Sequence, residues 1–175
     1  CMPALRELSP LKNAVEIVIG AEDTHKTLDT LASVWQALSE KGASRHSLLI
    51  NVGGGMVTDL GGFAAATFKR GIAYINIPTT LLAMVDASVG GKTGINFNGL
   101  KNEIGSFFPA SSVLIETEFL RSLDRYNFLS GYAEMLKHGL ISTPAHWSEL
   151  LTFNTDHIDY SELKQLVGRS VQVKE

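Results

Sequence analysis

A short apolar run, Ser47 to Val52, ends in three consecutive glycines, Gly53-Gly54-Gly55, and a second apolar stripe follows at helical spacing. No other feature restricts the fold as much. A continuous apolar run of this length suits a strand covered on both faces, and such strands belong to parallel sheets joined by helical crossovers. Leu60, Phe63, Ala64, Thr67 and Phe68 supply the crossover helix, and Ile72 to Ile77, stopped by Pro78, supplies the next strand.

The same alternation of elements runs through the first two thirds of the chain. Val15, Ile17 and Ile19 alternate as a strand ending at Gly20 would. Leu28, Leu31, Trp35 and Leu38 predict a helix over 24–41, closed by Gly42. Residues 80–88 read as helical, and Val113 to Ile115 as one more strand. Residues 90–105 hold five glycines, two lysines and little periodicity, and read as a working loop. Strands alternating with helices predict a mostly parallel α/β sheet. After Asp124 the patterning is helical only. The expected division is an α/β domain over 1–124 and the start of an all-helical domain over 125–175.

Composition removes several function classes. Fifteen Lys+Arg against 18 Asp+Glu give a net charge of −3 over 175 residues, which argues against a nucleic-acid or anionic-membrane partner held by bulk charge. With 45 % hydrophobic residues the chain is too apolar for a disordered one. No apolar run reaches the roughly 18 residues that span a bilayer. A single cysteine, Cys1, cannot form an internal disulfide, which fits a reducing, cytoplasmic setting. The chain starts without Met and ends at Glu175 inside a helical pattern that begins near Ser161, so a piece of a longer protein is expected.

Three stretches carry candidate chemistry. Gly53-Gly54-Gly55-Met56-Val57-Thr58-Asp59 joins a strand to a helix, where glycine admits a pyrophosphate and the helix N-terminus supplies free N–H groups. A tight turn without a ligand fits the same residues. Thr79 and Thr80 follow a strand end, where crevices of open α/β sheets lie, and Asp86, Gly90-Gly91-Lys92-Thr93 and Lys101-Asn102 come next. Two lysines in a glycine-rich loop can hold a phosphorylated substrate; a solvated surface loop is the alternative. Phe68-Lys69-Arg70-Gly71 ends the crossover helix. Favourable charge at a helix C-terminus explains Lys69, and Arg70 has the fork to reach a phosphate. In Gly131-Tyr132-Ala133-Glu134-Met135-Leu136-Lys137-His138, Glu134 faces Lys137 and His138 at i+3 and i+4. That is an exposed ion pair in most helices, and two donors fall short of the three protein ligands of a catalytic zinc. His25, His46, His146 and His157 show no ligand spacing and are expected at the surface.

Taken in order, these motifs, with Pro78-Thr79-Thr80-Leu81-Leu82-Ala83-Met84-Val85-Asp86 between them, resemble the 3-dehydroquinate synthase family, closely over residues 47–140 and loosely over 13–46 and 141–175. The resemblance implies a Rossmann-like domain and conversion of 3-deoxy-D-arabino-heptulosonate 7-phosphate into 3-dehydroquinate and phosphate, in the shikimate pathway. Transient oxidation acidifies a neighbouring C–H, phosphate is eliminated, the hydride returns, and ring opening with aldol closure gives the carbocycle. NAD and a divalent metal, zinc or cobalt, are the implied cofactors, and a homodimer the implied assembly.

Residue by residue, the resemblance puts Gly53, Gly54, Gly55, Met56, Val57, Thr58, Asp59, Thr79 and Thr80 on NAD, with Asp23 and Lys26 on its adenosine side. Phe119, Leu120, Arg121 and Ser122 would line the nicotinamide end. Arg70, Lys92, Asn102, Lys137 and Lys174 would face the substrate's phosphate and hydroxyls. Asp86 and Lys101 would lie near the nicotinamide and the reacting carbon, and Glu134 would be one of three metal ligands. The family's other two ligands are histidines downstream of the Lys174 position, so His138 is not one of them. Ser122 stands where the family usually has Thr, and Asp23 where it usually has Glu. A related sugar-phosphate cyclase, or an NAD-binding module without catalysis, remains the alternative reading.

Overall fold

The computed structural model describes residues 5–174; Cys1 lies outside them. In the first part of the chain, helix α1 (Leu28–Glu40) is followed by β1 (Leu48–Gly53), α2 (Gly55–Thr67) and β2 (Ala73–Pro78). A hairpin of β3 (Lys92–Phe97) and β4 (Leu100–Phe107) leads to the short β5 (Ser112–Val113). Three helices follow: α3 (Arg125–Ile141), α4 (Pro144–Thr152) and α5 (Tyr160–Lys174). None is long and apolar enough to cross a membrane.

The sheet is parallel, with β2 between β1 and β5. The register runs from Leu48 opposite Ala73 to Gly53 opposite Pro78. Helix α2 buries Met56, Leu60, Phe63, Ala64 and Ala65 against the sheet and hairpin, in a core shared with Leu31, Val34, Leu38, Tyr74 and Ile95. Of the helix predicted over 24–41, the α-helical part is Leu28–Glu40; Asp23–His25 forms a separate 3-10 turn, and Thr27 caps α1 by accepting from the Thr30 amide.

Three expectations need correction. Residues 14–20 form no strand and pair with none among the described residues: Ile17 and Ile19 pack on the core while Val15 and Val18 are exposed, so only the second half of the alternation records a covered face. Strand β1 is covered less than its apolar run predicts, with only Asn51 buried, because β1 is the edge of the described sheet. Residues 90–105 are not a loop but most of an antiparallel hairpin. Its turn is Asn98-Gly99, both with positive φ (50° and 79°), the two-residue geometry that matches strand twist.

The helices gather a second core of Phe128, Tyr132, Met135, Leu150, Leu163, Leu166 and Val167. Leu81, Met84 and Val85 also belong to it, although they precede the hairpin in sequence. They sit on or just before a π-turn, Ala83–Ala87, where helix was predicted. Widened turns of this kind recur at functional sites. Asp124 caps α3 through the Asn127 amide at 3.0 Å.

His25, His46 and His157 are exposed as expected, but His146 is buried between α4 and α5, its Nε2 3.3 Å from Ser170 Oγ. Pro144 starts α4, and Thr143 caps it by accepting from the His146 amide. Burial, reinforced by nearby Arg169, holds the imidazole below its ordinary pKa. The folded state therefore resists protonation, while the unfolded chain takes up a proton at about pH 6.5. Stability from this group is complete above that pH and lost as pH falls below it. His138 shares the sign. In urea titrations of the full-length protein from pH 7.5 to 5.5, His146→Asn should lose less stability than wild type; equal losses would show that His146 does not titrate as described.

Candidate functional site

The C-terminal ends of β1 and β2 lie side by side, and the Thr79 amide donates to the Gly53 carbonyl at 2.9 Å. Here the chain leaves β1 through the three glycines. Gly54 has φ −79°, a conformation open to any residue, so glycine serves close approach and not backbone freedom. A Cβ on Gly54 would stand 3.1 Å from Thr80 Cγ2, and one on Gly55 3.1 Å from Ala87 Cβ. The Val57 and Thr58 amides return to the Gly54 carbonyl, leaving earlier amides of the turn without a partner inside the helix. Met56 and Thr58 are buried, and Thr58 Oγ1 donates to the Gly55 carbonyl. Their side chains are therefore closed to a ligand.

Beside this cradle Lys26, 4 % exposed, donates to Asp59 Oδ2 at 2.5 Å and to Asn102 Oδ1. Burial pushes the Asp59 carboxyl above the usual carboxylate range, and the Lys26 ammonium opposes that shift. Asn96 joins the group: its side chain accepts from the Asn102 amide at 3.0 Å and donates to Asp23 at 3.3 Å. Lys101 pairs with Asp23 at 2.9 Å and holds its carboxyl below the usual range. Asn96 was not singled out in the sequence; its signal was the Asn98-Gly99 turn, which folds β4 back across β3.

On the other side of the cradle the π-turn presents Asp86. Lys174, on the last turn of α5, reaches Asp86 Oδ1 at 2.5 Å and lies along Gly90. Lys92 is exposed and makes no ion pair among the described residues. On α3, Lys137 donates to Glu134 Oε1, and His138 Nε2 lies 3.4 Å from the same oxygen. His138 is 1 % exposed with neither ring nitrogen hydrogen-bonded in the described structure. Burial and neighbouring Lys137 keep it below its ordinary pKa.

The structure does not gather every expected residue. Arg70 precedes β2, so about 20 Å of strand, at roughly 3.3 Å per residue, separates it from the Thr79 end. It lines a recess with Arg45, Lys69 and Gly71, on backbone whose φ is 52° at Lys69 and 69° at Arg70. Leu120 is buried in the helical core, and Arg121 is held by Glu118 at 2.5 Å and lies over the Tyr160 ring. Phe119 is half-buried and Ser122 exposed on the same 3-10 turn. Among the described residues no group of three or more His, Cys, Asp or Glu side chains is placed to hold a metal. Glu134 is one donor, not a metal centre.

A family model described as the 3-dehydroquinate synthase N-terminal region matches residues 16–130. A 3-dehydroquinate synthase of Parabacteroides distasonis is 59 % identical over 175 residues, all of this chain and 50 % of the relative. One of Rhodopirellula baltica is 50 % identical over 125 residues, 71 % of this chain and 33 % of the relative. Among solved structures, the 2-epi-5-epi-valiolone synthase of Streptomyces hygroscopicus subsp. jinggangensis 5008, with NAD+ and Zn2+ bound, superposes with a TM-score of 0.83 at 31 % identity, over 98 % of this chain and 52 % of that one. A 2-deoxy-scyllo-inosose synthase complexed with carbaglucose-6-phosphate, NAD+ and Co2+ gives 0.80 at 27 % identity, over 87 % and 43 %. The chain spans half the length, or less, of these curated relatives.

Proposed function

Because the chain belongs to the 3-dehydroquinate synthase family, we propose that the protein it comes from converts 3-deoxy-D-arabino-heptulosonate 7-phosphate into 3-dehydroquinate and phosphate. The observation that carries this reading is the Asp86–Lys174 pair beside the glycine cradle. Ala87, next to Asp86, lies 3.1 Å from where a Gly55 Cβ would stand, so the turn that bears this charged pair packs directly against the glycine turn.

The residues fit NAD in two respects: first-turn amides without a partner inside the helix, at the start of a 13-residue helix, and the partly exposed Asp59 carboxylate beside them. When bound, NAD takes up and returns a hydride. The first-turn amides of α2 hold its pyrophosphate. Asp59, fixed by Lys26, accepts from a cofactor hydroxyl, and Thr79 and Thr80 close the cradle. Lys92, Lys137, Lys174 and Asn102 bind the substrate's phosphate and hydroxyls, and the lysines stabilise charge as phosphate leaves. Asp86 orients the reacting end, with Lys101 free to exchange Asp23 for substrate. Glu134 would be one ligand of a divalent metal, and the described residues do not by themselves complete a site for it. The same proposal includes a homodimer in the cytoplasm and a division of the chain near residue 124.

Full-length protein supplied with this substrate, NAD and a divalent metal should release 3-dehydroquinate and phosphate, identified by mass and by coupled phosphate assay. A different carbocycle from another sugar phosphate would favour a related cyclase, the reading supported by likeness to 2-epi-5-epi-valiolone synthase. NAD binding without any cyclised product would leave a non-catalytic module.

A further inference from the structure

The parallel sheet contains a buried polar line that the reading above does not use. Asn51 on β1 and Asn76 on β2 are register partners, both almost fully buried. Asn51 Nδ2 donates to Asn76 Oδ1 at 3.0 Å, and Asn76 Nδ2 donates to the Ser88 carbonyl at 3.4 Å. A carbonyl only accepts, so Ser88 fixes which way the Asn76 amide faces, and that in turn presents Oδ1 to Asn51. Ser88, also buried, closes the π-turn: its Oγ and its amide donate to the Ala83 carbonyl at 2.7 and 3.0 Å. At the other end α2 has Gly61, where a Cβ would lie 2.1 Å from Asn51 Oδ1, so the helix is bare where Asn51 sits.

Two apolar residues would fill this space at lower cost, because a buried amide is tolerated only when its partners are all met. What the amides add is direction. They tie the π-turn that bears Asp86 to the strands that bear the cradle, through a carbonyl two residues beyond Asp86. We propose that Asn76, oriented by Asn51, is a positioning residue for the reaction: it fixes the height of the π-turn and so the placement of Asp86 against the cradle. This rests on the functional reading above.

The test compares Asn76→Leu with Asn51→Leu/Asn76→Leu in the full-length enzyme. Asn76→Leu alone strands the Asn51 amide and lowers the melting temperature. The double variant removes both polar partners and should recover much of that loss. If Asn76 positions Asp86, kcat stays down by about tenfold or more in the double variant, since displacements of an ångström at a reacting centre cost that much, while NAD affinity changes far less. Recovery of kcat together with melting temperature would overturn the proposal, as would an unchanged kcat in Asn76→Leu. Should the single variant fail to fold, the double variant decides alone. Hydrogen exchange gives a readout that does not depend on turnover. The Ser88 and Val89 amides, which close the π-turn onto Ala83 and Asp86, should exchange faster in the double variant while core amides of α2 do not. Unchanged exchange there would refute the relay, whereas a wild-type enzyme that makes no 3-dehydroquinate would refute only the functional reading.

Discussion

Lys26→Met should cost the full-length protein about 3–5 kcal/mol at pH 7, because it removes one member of a buried ion pair and leaves the other charged. The Lys26 side chain is 4 % exposed and that of Asp59 20 %, so Asp59 would keep a little water and the lower end of the range is expected. The pH dependence identifies the cause. Burial already raises the Asp59 carboxyl, with Lys26 opposing. Without Lys26 it rises further, and the folded state binds a proton that the unfolded chain, near pH 3.9, does not yet bind. The cost should therefore shrink as pH falls from 7 towards 5. Lys26→Met/Asp59→Asn should recover most of the loss at pH 7. Urea midpoints at the two pH values measure it. A midpoint at pH 7 equal to wild type would mean that the pair carries no stability.

Lys92→Ala should behave in the opposite way, harming turnover and not the fold. Lys92 is exposed, follows two glycines of positive φ, and makes no ion pair among the described residues. Its loss should change stability by no more than about 0.5 kcal/mol. If it holds the substrate's phosphate as charge builds, kcat/KM should drop by about 10²–10³, the usual cost of removing one preorganised donor. Lys92→Arg should restore part of it. Steady-state kinetics beside a melting curve make the comparison, and near-normal turnover in Lys92→Ala would refute the role.

Much of the fold was legible because burial writes a period into the sequence. The β1–α2–β2 unit and α1 follow from apolar spacing, and α3 from the change of pattern at Asp124. The hairpin was not, since five glycines and two lysines over residues 90–105 dilute the alternation of Thr93 and Ile95. The Asn98-Gly99 signal stood among them unread. The segment 14–20 fails for the converse reason: alternation reports which face is covered, and says nothing of whether a neighbouring strand is there to pair.

The candidate site was legible as a set of residues and not as a set of contacts. Lys26 and Asp59 lie 33 residues apart, and Asp86 and Lys174 lie 88 apart, distances over which one sequence holds no pairing information. Arg70 shows the limit most plainly. It lies where the chain enters β2, at the far end of that strand from Thr79, a placement its residue type does not reveal.

The π-turn has a further consequence for protein engineering. Leu81, Met84 and Val85 are plugged into the helical core, while Asp86 and Ala87 on the same short turn face the cradle. A chimera that grafts a relative's helices onto this sheet at residue 124 would separate that plug from the socket it was shaped for. Parts exchanged between such enzymes must therefore carry residues 81–85 along with the helices, even though the hairpin and β5 come between them in the sequence. The seam of the molecule is not where the chain crosses from sheet to helices, but inside one widened turn.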